Sequence, residues 1–64
     1  MFKAELDDID FRILKELQAD GRMTNVELAN RVGISAPPCL RRVRKLEQAG
    51  IIRGYRALIN APAL

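Results

Sequence analysis

Between residues 40 and 46 the sequence LRRVRKL sets four cations in five positions, Arg41, Arg42, Arg44 and Lys45, and Arg53 follows shortly after. Guanidinium groups offer planar forks of N–H donors that match phosphate oxygens or the O6/N7 edge of guanine, and an ammonium binds phosphate as a point charge. The chemistry open to such a set is the holding of a polyanion. A charge run on a helix is as often a plain solvated face, so the reading depends on where the surrounding elements aim these side chains.

The rest of the composition narrows the choice. Residues 1–24 carry Lys3, Arg12, Lys15 and Arg22 against six carboxylates, net −2, whereas residues 25–64 carry seven cations against Glu27 and Glu47, net +5. Five of those seven lie in 41–53, a clustering that suits a polyanionic partner. Histidine is absent and Cys39 is the single cysteine. No Cys/His zinc site, internal disulfide or nucleophile–base pair is therefore expected, and with them no enzyme activity and no cofactor. Apolar runs reach only two or three residues, too short to span a bilayer, and the first residues lack a signal peptide's apolar centre. The expected location is the cytoplasm.

The elements that must position the cations carry their own starts and stops. A chain of 64 residues is one small domain with a marginal core, and the pattern predicts a mainly α fold over residues 1–60. Helix 1 spans about 8–19, with Ile9, Ile13, Leu14 and Leu17 on one face. Asp7 is its N-cap, Leu6 and Phe11 stand as a hydrophobic staple, and Gly21 supplies the stop after Asp20. Helix 2 spans about 25–32, with a Thr24–Glu27 capping box, a Met23–Leu28 staple and a left-handed stop at Gly33. Helix 3 spans about 36–49, with Ser35 as N-cap, an Ile34–Cys39 staple, Cys39, Val43 and Leu46 facing inward, and Gly50 closing it. The β-formers Ile51, Ile52, Tyr55, Leu58 and Ile59 then predict a short strand or hairpin over about 51–59, bent at Gly54, with regular structure ending at Asn60-Ala61-Pro62.

Two helices joined by a tight glycine-containing turn, the second one basic, form a helix-turn-helix pattern. In that motif the second helix presents its N-terminal residues to base edges in the major groove, which is about 12 Å wide. This accounts for Pro37 and Pro38 at the head of helix 3. First-turn N–H groups have no intrahelical partner, so proline loses little there and leaves a compact, stiff tip. At about 100° per residue, Pro37, Arg41 and Arg44 lie opposite the buried face, with Pro38 and Lys45 on one flank and Leu40 on the other. Arg41 and Arg44 are candidates for bases or phosphates, and Lys45 for a phosphate. Ser35, Ala36, Pro37 and Pro38 either approach the groove closely or serve only to start the helix. Leu40 either flanks the core or meets a thymine methyl group. Thr24 and Asn25, at the N-terminus of helix 2, are candidates for a phosphate, and Arg53 on the strand for the backbone. Arg42 points about 60° from the buried centre, toward either DNA or an acid of helix 1, Asp8 or Asp10. Cys39 reads as a core residue.

The segments LDDIDFRILKELQADGRMTNVELANRVGIS and CLRRVRKLEQAGIIRGYRALIN together resemble the N-terminal domain of the leucine-responsive/asparagine-operon regulators (Lrp/AsnC, feast/famine). The resemblance runs from Leu6 to Asn60. It implies a three-helix winged helix-turn-helix that binds specific double-stranded DNA for a prokaryotic transcription regulator, with helix 3 as recognition helix. In the family a strand leads to a C-terminal domain that binds amino-acid effectors and builds homodimers and higher oligomers. Residues 61–64 then begin the linker to that domain, effector binding does not fall on these residues, and the chain alone is expected to be a monomer or weak dimer. The competing reading is a winged helix whose basic helix docks on an acidic protein.

Overall fold

The computed structural model describes residues 5–64; Lys3, counted in the charge balance above, lies outside them. Three helices follow one another, α1 Asp8–Ala19, α2 Asn25–Val32 and α3 Ala36–Gln48, and a short 3-10 turn covers Ala61–Ala63. Helix α2 packs against both α1 and α3. Their apolar stripes converge on six buried side chains: Ile13, Leu28, Ala29, Val32, Cys39 and Leu46. Leu6, Ile9, Leu17, Val43 and Ile51 are among the partly buried residues that ring them. So small a core makes the helix ends matter more than they would in a larger domain.

The ends are built from reciprocal side-chain bonds. At α1, Asp7 accepts the N–H of Asp10 at 2.9 Å, and Asp10 accepts that of Asp7 at 3.2 Å. At α2, Thr24 Oγ1 accepts the N–H of Glu27 at 3.1 Å while Glu27 accepts that of Thr24 at 2.8 Å. Each box satisfies two donors that the helix leaves orphaned. Gly33 closes α2 in the left-handed region, with φ +85°.

Helix α3 departs from that scheme at its start. Ser35 holds the N-cap position, yet its side chain caps nothing. An N-cap oxygen accepts from the second or third helical N–H, and here those positions are Pro37 and Pro38, which have none. Helix α3 ends at Gln48 rather than Ala49. Gly50, with φ +77°, donates its N–H to Glu47, and Ile51 donates to Leu46 at 3.0 Å, the paired bonds of a Schellman closure.

That closure corrects the expected strand over 51–59. The N–H groups of Ile51 and Ile52 both go to the Leu46 carbonyl, at 3.0 and 3.1 Å, so neither is left for a ladder. Residues 53–60 run without regular structure, and the described residues contain no strand. A lone extended segment has no partner within them to pair with. Asn60-Ala61-Pro62 is likewise not an end to regular structure but the entry to the 3-10 turn at Ala61–Ala63.

Two smaller expectations also change. Gly21 does not take a left-handed conformation; α1 ends at an extended Asp20, whose carboxylate accepts the Arg22 N–H at 2.9 Å and shapes the turn. Phe11 is 58% exposed, so a staple onto Leu6 would leave most of the ring in water, and it is Leu6 that packs on the core.

Candidate nucleic-acid interface

The outward face of α3 carries Pro37, Leu40, Arg41, Arg44 and Lys45, all exposed. Arg41, Arg44, Lys45 and Arg53 have no carboxylate within ion-pair distance among the described residues. Their charge is therefore free for an external anion. Leu40, at 39%, is the one large apolar side chain on this face, which gives little for an apolar protein partner to cover. Ser35 stands exposed beside the proline tip with its hydroxyl uncommitted.

Arg42 does something else. Its Nη1 lies 2.7 and 2.8 Å from the two carboxylate oxygens of Asp7 and 3.0 Å from Asp10 Oδ1. The sequence left Arg42 open between DNA and Asp8 or Asp10. Asp10 is a partner, Asp8 is not, and Asp7 is the addition. The reason is local: the capping box turns both Asp7 and Asp10 back over the first turn of α1, beside α3, and Asp8 takes no part in that box. The hydrogen bond from Arg42, then that from the Asp10 N–H, hold the Asp7 carboxyl below its usual range. Hydrogen bonds to Asp7 and Asp10 hold Arg42 still more firmly charged. The clamp pins α3 to α1, and its one positive charge offsets one of the two carboxylate charges near the cationic face.

Asn25 is also diverted. Its side-chain amide is partly buried and donates to the Ala36 carbonyl at 2.8 Å, so this amide faces into the fold instead of outward. The backbone N–H groups of Asn25 and Val26 remain in the first turn of α2, where no intrahelical carbonyl reaches them, and Thr24 is exposed beside them.

Sequence reasoning missed three contacts: Asn25 to Ala36, Arg42 to Asp7, and Tyr55 Oη donating to Glu47 Oε2 at 2.8 Å. The first two join residues 11 and 35 apart, beyond any periodic signal. The Asp7–Asp10 box was findable as a capping motif with a short acid in the third position.

A winged helix-turn-helix DNA-binding family matches residues 6–53 of the chain. The chain belongs to that family. Within it the similarity is to Lrp/AsnC regulators. A leucine-responsive regulatory protein of Rhizobium meliloti is 79% identical over 62 residues, which are 97% of this chain and 40% of that protein. A Neisseria meningitidis transcriptional regulator, solved as a complex with L-Met, superimposes with a TM-score of 0.89 at 52% identity, over 92% of this chain and 38% of its own. An AsnC family transcriptional regulator of Agrobacterium tumefaciens gives 0.86 at 40% identity, over 91% and 38%. The chain thus spans about 40% of the length of these relatives. Over that shared length it carries the winged helix-turn-helix DNA-binding fold, and the relatives it matches are transcriptional regulators. Among the described residues no helix is long and apolar enough to cross a membrane.

Proposed function

We propose that this winged helix-turn-helix domain reads duplex DNA with α3 in the major groove. Arg41 and Arg44 reach base edges or phosphates, Lys45 meets a phosphate, and Ser35, Ala36, Pro37, Pro38 and Leu40 form the tip that enters. The N-terminus of α2, with Thr24 and the free N–H groups of Asn25 and Val26, rests on a phosphate, and Arg53 adds a backbone contact. Arg42 serves from behind, as the bolt to α1. The observation that carries this reading is the sorting of cations on one helix: Arg42 is spent on two carboxylates while Arg41, Arg44 and Lys45 are exposed and have no ion-pair partner among the described residues.

In the full-length regulator two such domains would read half-sites about one helical turn apart. Dimers or higher oligomers and an amino-acid effector would act through residues outside this domain, in the cytoplasm. The test is fluorescence anisotropy of a labelled mixed-sequence duplex at several salt concentrations. Binding that weakens steeply with salt, and drops in an Arg41→Ala/Arg44→Ala variant, supports the reading. Equal binding by that variant overturns the role of α3.

A further inference from the structure

We propose that Asn25 is a positioning residue for DNA reading: its side-chain amide fixes the head of α3 against the head of α2 and so sets the aim of the recognition helix. This rests on the reading of α3 given above. The amide Nδ2 donates to the carbonyl of Ala36 at 2.8 Å. Asn25 is the first residue of α2 and Ala36 the first of α3, so one hydrogen bond ties together the two helix ends that face the duplex. Pro37 and Pro38 stiffen the tip internally by fixing φ, but they do not locate it relative to α2. The Ser35 hydroxyl cannot help, having no helical N–H to hold. Asn25 supplies the missing constraint from the side.

The bond is kept at a cost that fold stability alone does not explain. The other end of the same amide, Oδ1, is buried and finds no donor among the described residues. A buried acceptor left without a partner opposes folding, and an apolar residue of similar shape avoids the penalty. Nor is Asn25 needed to start α2, because Thr24 and Glu27 already form the capping box. What the amide adds is direction. A tip displaced by about 1 Å loses bidentate alignment with base edges but keeps its attraction to phosphates, because hydrogen bonds weaken steeply with angle whereas charge attraction does not.

The experiment compares the wild-type chain with Asn25→Ala and Asn25→Asp. Each is titrated by anisotropy against a duplex enriched from a random library by the wild type, and against a scrambled copy of it. Melting curves confirm that each variant is folded at the assay temperature. Asn25→Asp keeps the shape and suits a first helical turn, but replaces the donor with an acceptor facing the Ala36 carbonyl, so it decides the matter if Asn25→Ala does not fold. The expected result is that both variants lose about tenfold in preference for the enriched duplex, the scale of one misaligned bidentate contact. Binding of Asn25→Ala to the scrambled duplex falls much less; Asn25→Asp adds a charge beside the phosphate that weakens both duplexes alike, so for it the preference ratio is the readout. Loss of affinity for both duplexes alike in Asn25→Ala, with a shallower salt slope and an unchanged preference, makes Asn25 a phosphate contact and overturns the proposal. Full preference in Asn25→Asp overturns it too, by leaving only a helix-start role. A wild type that enriches no duplex overturns the reading of α3 itself, and is told apart because it fails before any variant is made.

Discussion

Ser35 stands at the N-cap of α3, one residue before Pro37 and Pro38, and its hydroxyl caps neither. The same residue type at the same position is a stabilising cap in most helices; here proline has removed the donors it would serve. Thr24, one helix earlier, is engaged with Glu27 at 3.1 Å. The two hydroxyls therefore differ in what they contribute to stability. Thr24→Ala should cost about 1 kcal/mol of folding free energy, and Ser35→Ala less than about 0.5 kcal/mol. Urea denaturation followed by circular dichroism checks both. An equal loss in the two variants contradicts the assignment.

The Arg42 clamp makes the domain sensitive to acid. Asp7 has its pKa lowered in the folded state, first by the hydrogen bond from Arg42. A carboxyl depressed on folding contributes stability that is present above its unfolded value, about 3.9, and is lost as pH falls through the lower folded value. The melting temperature should therefore drop more steeply below about pH 4 in the wild type than in Arg42→Met. The variant should also start from a lower melting temperature at neutral pH. Parallel acid limbs would mean that the pair contributes nothing.

Tyr55 gives an optical readout on the alkaline side. It is the single tyrosine of a chain without tryptophan, so ultraviolet titration reports this phenol alone. Partial desolvation of its half-exposed ring, and then the hydrogen bond to Glu47, push its pKa up to about 12. Glu47→Gln removes the charge and should bring the midpoint down toward the ordinary value near 10. A phenol raised on folding contributes stability that is complete below its unfolded value and fades as pH climbs through the folded one. A folded wild type titrating near 10 would show that Tyr55 is not held on α3.

Cys39 is fully buried, and burial pushes its thiol pKa up. A thiolate is the reactive form. In the folded chain Cys39 should react with a disulfide reagent at least about a hundredfold slower than in urea, in keeping with a mostly closed native state. Rapid labelling under native conditions would show that the thiol is not held in the core.

Much of this was legible in the sequence, and the reasons differ by residue. The helix starts at Asp7, Thr24 and Ser35 were visible because capping is a local matter of three or four positions. The outward placement of Arg41 and Arg44 followed from helical period alone. The period also brought Arg42 to the edge of the core but could not say which acid waited there. That depended on how the Asp7–Asp10 box turns its carboxylates. The strand over 51–59 failed because side-chain preference was read without asking where the backbone N–H groups go. Those of Ile51 and Ile52 are committed to Leu46. Asn25 looked like a helix-end residue facing outward, and only the approach of Ala36 turns its amide inward.

The measurement that tests the central claim most directly is a nuclear magnetic resonance titration of the isotope-labelled chain with a short duplex. It reads every backbone amide at once and so reports which face meets DNA. The account predicts shifts concentrated at residues 24–26, 35–45 and 53, with Phe11, Leu14 and Tyr55 unmoved. Shifts centred on Phe11, Leu14 and Tyr55, with Arg41 and Arg44 silent, would contradict it.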